Sequence, residues 1–287
     1  MEIITSIDDC RETIQRARRE GRVGLVPTMG ALHAGHFSLV SAARESCTQV
    51  MVTIFVNPSQ FGPGEDFEAY PRRLQADAAA CEKAGVAWIF SPDAGSMYSP
   101  DASTNVIVNR LSERLCGASR PGHFAGVATV VSKLFHIAPA DAAFFGEKDF
   151  QQLQIIRRMV RDLNMPIDII GCPIARHDDG LALSSRNSYL TPQQREAATC
   201  LSSSLFQARE EVGNGTCKRA EDITARVRTS IERAEGARID YVELVDEQSL
   251  EPIVGEIAGR ARLCVAVYFG SCRLIDNVAV DPTGSVG

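Results

Sequence analysis

The chain has no run of basic residues longer than pairs such as Arg18-Arg19 and Arg72-Arg73, and its net charge is −6. That balance argues against a surface for duplex nucleic acid, while leaving room for a local basic pocket that takes phosphates. Nine cysteines are present, but they form no CxxC and follow no pattern, which suits reduced thiols rather than a disulfide framework. The opening MEIITSIDDCRETIQ carries acids early and lacks the apolar stretch of a secretory signal. No window approaches the apolar run that a membrane span needs. The expectation is a cytoplasmic protein that acts on small molecules, with neither nucleic acid nor membrane as a partner. Common nucleotide and hydrolase signatures are missing too. There is no GK[ST] of a P-loop and no GxSxG, and GPGEDF at 62–67 lacks the third glycine and the strand of a Rossmann fingerprint.

What is present is a regular alternation. Apolar, β-branched runs at 23–26, 50–56, 86–90, 142–145 and 167–170 are interleaved with helical patterns at 36–46, 72–84, 127–138 and 150–163. Such continuous apolar strands predict an α/β fold, a Rossmann-like parallel sheet covered by helices on both faces. After Pro173 the character changes. A charged loop, ARHDDGLALSSRN, leads to Thr191-Pro192, an N-cap followed by Pro at the first helical position. Two helical stretches, split by Gly213-Asn214-Gly215, precede strand candidates at 238–245, 263–269 and 274–280. The expected division is residues 1–175 as the larger domain and 176–287 as a smaller α+β domain.

The stretch VPTMGALHAGHFSLV, residues 26–40, sets His33 and His36 three apart where a strand hands over to a helix. A helix N-terminus offers unpaired N–H groups and the positive end of its dipole, and Gly30 and Gly35 allow close backbone approach. Two imidazoles there suit donation to phosphate oxygens as charge builds. A zinc pair lacks any third ligand at familiar spacing, and a pair of capping or core histidines is the other reading. FFGEKDFQQL, residues 144–153, is a second strand end: Lys148 suits a phosphate, Asp149 a ribose hydroxyl, and Gln151 and Gln152 a polar substrate, or else it is a solvated, capped helix start. DGLALSSRN, residues 179–187, is either a flexible loop closing Ser184, Ser185 and Arg186 on phosphates or an interdomain linker. FVNPSQFGPGEDFEAYPR, residues 55–72, places Asn57 and Gln60 at a strand's carboxyl end, as amides for a hydroxyl or carboxylate or as a surface loop. GASRPGHFAGV, residues 117–127, reads as a Gly-rich loop carrying Arg120 and His123.

Taken together, VPTMGALHAGH, IFVNPSQF, YPRRLQAD, GASRPGHFAGV, FFGEKDFQQL, GLALSSRNSYL and RLIDN closely resemble the pantoate–β-alanine ligase family, in order and over nearly the whole chain. The resemblance implies ATP-dependent, AMP-forming condensation of pantoate with β-alanine through an acyl-adenylate, with Mg²⁺ accompanying ATP, in a cytoplasmic homodimer. It implies that Met29, Gly30, Ala31, Leu32, His33, Ala34, Gly35 and His36 cradle ATP, with His36 the catalytic acid. Gly146, Glu147, Lys148, Asp149, Ala175, Leu183, Ser184, Ser185 and Arg186 complete the nucleotide site, with His33, Lys148 and Arg186 also catalytic. Gln60, Gln152 and Asn57 hold substrate, Asp77 stands near the metal, and the second domain closes as a lid. Ser59 departs from the family's larger residue, and Cys172 from an aliphatic. A nucleotidyltransferase that leaves AMP on its product, and a nucleotide-binding regulator, are the competing readings.

Overall fold

Strand β2 (Val23–Thr28) has Val23, Leu25 and Val26 fully buried, the signature of a strand covered on both faces. It lies inside a six-stranded sheet with β1 (Glu2–Ile4), β3 (Gln49–Ile54), β4 (Trp88–Phe90), β5 (Ala142–Gly146) and β6 (Asp168–Cys172). The order is β1-β4-β3-β2-β5-β6, and every neighbouring pair is parallel. The chain therefore winds from β2 outwards through β3 and β4, then returns to build β5 and β6 on the other side. The crevice at the carboxyl ends of β2 and β5 is the topological switch point, where open α/β sheets bind ligands. The computed structural model describes residues 1–65 and 67–284, so Asp66 and residues 285–287 lie outside it.

The helices follow the strands: α1 (Ile7–Ala17), α2 (Ala34–Ser46), α3 (Leu74–Lys83), the short α4 (Ala94–Met97) and α5 (Cys116–Ser119), α6 (His123–Ile137) and α7 (Phe150–Asp162). Leu39, Val40 and Ala43 of α2 pack with Val26, Val50, Val52 and Phe144 of the strands. Strand β1 and helix α1 escaped the sequence reading, as did the short α4 and α5. Helix α1 is built by a Ser6 cap accepting from the Asp9 N–H at 3.3 Å, with Cys10, Ile14 and Ala17 buried at helical spacing. Helix α6 starts at His123 rather than at 127, so the expected Gly-rich loop at 117–127 is the end of α5, a link at 120–122 and the first turn of α6. Gly122, at φ +83°, turns the chain directly into that helix.

The chain divides into two compact units, Met1–Glu147 with Gln151–Pro173, and Lys148–Phe150 with the chain from Ile174 on. The second unit holds an antiparallel sheet, β7 (Ala237–Asp246), β8 (Ala261–Phe269) and β9 (Cys272–Val280), in that order. After the short α8 (Pro192–Ala197), helices α9 (Cys200–Gly213) and α10 (Ala220–Glu232) bury Leu205, Val212, Ile223 and Ile231 with Leu244, Val265 and Phe269 of the strands. Thr191 and Gln194 form a reciprocal capping box at the start of α8, as its Thr-Pro signal predicts. No helix among the described residues is long and apolar enough to cross a membrane.

Candidate active site

The turn after β2 is built almost entirely from side chains accepting backbone N–H groups. Thr28 Oγ1 accepts from Gly30, and the two carboxylate oxygens of Asp77 accept from Ala31 and Leu32, each at 2.9 Å. His36 Nδ1 then accepts from the His33 N–H at 3.3 Å, and His33 Nδ1 accepts from the Gly35 N–H at 3.1 Å. The two histidines are thus a capping box made of imidazoles, where Ser, Thr or Asp with Glu or Gln is usual. The turn is strained where it must be: Gly30 sits at φ +85° and Ala31 at φ +51°. A left-handed alanine costs about 1–3 kcal/mol. Two charge-assisted bonds to a buried carboxylate, each contributing about 1.5–3 kcal/mol net, offset it.

Because each Nδ1 accepts a backbone N–H, the proton of each neutral ring sits on Nε2. The rings lie side by side, their centroids 4.1 Å apart. Both rings then carry an Nε2–H at the N-terminal end of α2, the end of the helix dipole that favours anions. The backbone amides of Gly30 to His33 and of Gly35 are committed inside the turn, so a cradle of bare amides, as in a P-loop, is not what this turn supplies.

Next to the turn stands an amide cluster. Gln60 Nε2 donates to Met29 Sδ at 3.1 Å, and Asn57 Nδ2 donates to Gln60 Oε1 at 3.1 Å and to the Gly126 carbonyl at 3.2 Å. Asn57 Oδ1 accepts from Tyr98 Oη and from Ser59 Oγ, both at 2.9 Å. At 1% exposure, with both donors and both acceptor positions used, Asn57 orients Gln60 rather than presenting an amide of its own. His123 Nδ1 donates to the Gln60 carbonyl at 2.8 Å, which leaves Nε2 to accept from Arg120 at 3.0 Å, and Arg120 grips Glu65 through two bonds of 2.6 and 2.7 Å. The Arg120 guanidinium holds the Glu65 carboxyl below its usual range, and burial pushes the Tyr98 phenol up.

The two glutamines of FFGEKDFQQL separate. Gln151 is buried and fully used, accepting from Cys116 N–H and donating to the Leu111 and Arg114 carbonyls, so it props a loop and does not read a substrate. Gln152 is half-buried on the adjacent face of α7. Gly146 ends β5 at the switch point and Glu147 opens the short 3-10 turn that follows. Lys148 belongs to the second unit, where Asn277 Nδ2 donates to its carbonyl at 3.0 Å and its ammonium lies 3.9 Å from Asp149. In that unit SSRN is a folded turn, not a linker. Ser184 Oγ accepts from the Arg186 N–H, Leu183 N–H donates to the Ala175 carbonyl, and Cys272 Sγ donates to the Arg186 carbonyl.

Among the described residues no group of three or more His, Cys, Asp or Glu could hold a metal ion. Asp77, expected beside the metal, has both carboxylate oxygens on backbone N–H groups and is 4% exposed. These residues do not fit a protein-held magnesium ion.

The model of the pantoate-beta-alanine ligase family matches residues 2–279. The chain belongs to this family. Pantothenate synthetase of Rhizorhabdus wittichii is 52% identical over 286 residues, covering 98% of this chain and 99% of that relative. That of Clostridium acetobutylicum is 50% identical over 278 residues, covering 96% and 98%. The structure is similar to crystalline pantothenate synthetase from Thermus thermophilus, with TM-score 0.91 and 44% identity over 97% of this chain and 99% of that one. It is also similar to the pantoate-beta-alanine ligase of Francisella tularensis, complexed with beta-gamma ATP and beta-alanine (TM-score 0.79, 33% identity, 97% of each chain). Within the ligase frame, Tyr98, Thr28 and the carbonyl-holding role of His123 are what sequence reasoning missed. Only a structure pairs Tyr98 with Asn57, 41 residues away.

Proposed function

We propose that this ligase joins pantoate to β-alanine with consumption of ATP, through an acyl-adenylate. The observation that carries the reading is the imidazole capping box at the sheet's switch point, which turns two Nε2–H donors into fixed features of a helix N-terminus. In the first step a pantoate carboxylate oxygen attacks the α-phosphorus and the bond to the β-phosphate oxygen breaks, releasing pyrophosphate. His33 and His36 donate to phosphate oxygens whose charge grows in that step, with Lys148 and Arg186 supplying positive charge to the departing pyrophosphate. In the second step the β-alanine amine attacks the acyl carbon, loses a proton, and AMP leaves as the amide forms.

Gln60, held by Asn57 and Met29, and Gln152 are proposed to hold pantoate. Residues 1–175 would take ATP and pantoate, and 176–287, with Ala175, Leu183, Ser184 and Ser185 at the nucleotide, would exclude water from the adenylate. ATP is the proposed co-substrate. Mg²⁺ would accompany the ATP phosphates, since among the described residues no group of three or more His, Cys, Asp or Glu could hold it. A cytoplasmic homodimer belongs to the same proposal.

The test is pyrophosphate and AMP release from ATP, pantoate and purified protein, with and without β-alanine, beside two variants. His36→Ala removes ring and cap; His36→Gln keeps an acceptor for the His33 N–H at the third helical position but no imidazole. Both are expected to lose about 100-fold or more. AMP released without any need for β-alanine, or AMP retained on the product, favours a nucleotidyltransferase instead. Full activity in His36→Gln removes the imidazole from the mechanism.

A further inference from the structure

We infer that Asp77 is the positioning residue of the histidine turn and not a ligand to a metal ion, an inference whose activity arm rests on the reaction proposed above. Its two oxygens divide between two successive amides, Oδ2 taking Ala31 and Oδ1 taking Leu32. Those are the two residues immediately before His33, and Ala31 is in the left-handed region that an alanine does not choose unaided. The fit is tight on the third side: a Cβ on Gly30 would stand 3.1 Å from Asp77 Oδ2 and 3.0 Å from Ile54 Cγ2. Only a glycine there, with a carboxylate here, closes the turn.

The consequence passes along the chain. With Ala31 and Leu32 pinned, the His33 N–H points at His36 Nδ1, the His33 carbonyl accepts from His36 N–H at 2.8 Å, and His33 Nδ1 reaches Gly35. Both ring tautomers follow from those bonds. Asp77 is carried by α3, whose first turn it occupies, so a separate element of the same unit fixes the register of the imidazoles. An ion would need oxygen ligands beyond this carboxylate, and among the described residues no group of three or more His, Cys, Asp or Glu that could hold a metal ion includes it.

Asp77→Asn separates the two roles, since an amide keeps the shape but offers one acceptor for two N–H groups. The first arm is hydrogen exchange at Ala31 and Leu32. In the unaltered enzyme both amides are expected to stay protected in EDTA, and in Asp77→Asn at least one exchanges about tenfold faster or more. In the second arm, kcat for pyrophosphate release is expected to fall about 100-fold. The Mg²⁺ concentration for half-maximal rate should stay within about twofold, and the His33 and His36 ring resonances shift while those of His136 do not. Loss of protection in EDTA, or a rise of about tenfold in the Mg²⁺ requirement of Asp77→Asn, would overturn the inference in favour of a metal ligand. Should Asp77→Asn fail to fold, exchange in the unaltered enzyme with and without EDTA decides alone. Should that enzyme release no pyrophosphate with pantoate, the proposed reaction fails while the exchange arm still judges the clamp.

Discussion

Gly126→Ala is the substitution whose consequences can be worked furthest. Gly126 lies in the first turns of α6, and a Cβ there would stand 2.3 Å from the Ser59 carbonyl oxygen and 2.7 Å from Gln60 Cα. Ordinary contact begins near 3.4 Å, and the obstructing atoms are backbone, so the Pro58–Gln60 turn or the helix must move by about 1 Å. Overpacking of this kind costs about 1–3 kcal/mol of stability. A functional cost of similar size is expected as well, because the Gly126 carbonyl and Gln60 share the Asn57 amide as donor, and His123 on the same helix holds the Gln60 carbonyl. A misplacement of about 1 Å in Gln60, the group proposed to hold pantoate, is expected to lower turnover by up to about 100-fold. The assay is steady-state pyrophosphate release with pantoate varied, alongside a urea melt, and kcat/KM for pantoate is expected to drop at least about tenfold. Gly259→Ala, whose Cβ meets nothing within 4 Å, is the control and should leave both unchanged. A Gly126→Ala enzyme with unaltered kcat/KM for pantoate would refute the argument that this close approach sets Gln60.

Gln151→Ala strips partners from one buried N–H and two carbonyls at once, and a urea melt should report a loss of about 3–5 kcal/mol. A loss below about 1 kcal/mol would mean that the loop holds itself. Glu65 gives a pH dependence of known sign. Its folded pKa lies below the ordinary 4.5 because of Arg120, so its contribution is complete above that value and lost as pH falls through the folded one. The stability gap between the unaltered protein and Glu65→Gln should therefore hold from about pH 7 to 5 and shrink towards pH 3, and a gap that widens in acid would contradict the pairing.

The strands and most helices were legible because parallel strands buried on both faces read as unbroken apolar runs, as β2, β3 and β5 do. Strand β1 was not, since three residues with Glu2 and Ile3 exposed carry no periodicity to detect. Helix α1 was readable in principle from its Ser6 cap, acidic first turn and Cys10/Ile14/Ala17 spacing. The histidine motif pointed to a strand-to-helix turn. Its helix nevertheless begins at Ala34 and not at His36, because imidazoles do the capping that Ser or Asp usually does.

The harder residues are those whose meaning depends on a partner far along the chain. Gln151 and Gln152 are neighbours with the same amide, yet Gln151 is consumed by the loop at 111–116 and Gln152 is not. Asp77 and Asn57 were both read as groups facing a ligand, and the structure uses both inside the protein, on Ala31 and Leu32 in one case and on Gln60 and Gly126 in the other. The pattern has a physical cause. A donor that must meet a phosphate or a carboxylate in one orientation needs its own remaining valences tied down, and buried groups can do that without competition from water. A motif therefore marks the groups that face the substrate together with the groups that aim them, and sequence cannot separate the two. Hydrogen-bond pairing identifies the aiming groups: Asp77 and Asn57 spend both sides of their polar groups on backbone and side chains of the protein, Asp77 on the turn that carries His33 and His36 and Asn57 on Gln60, which is the arrangement expected of residues that aim the ones proposed to meet substrate.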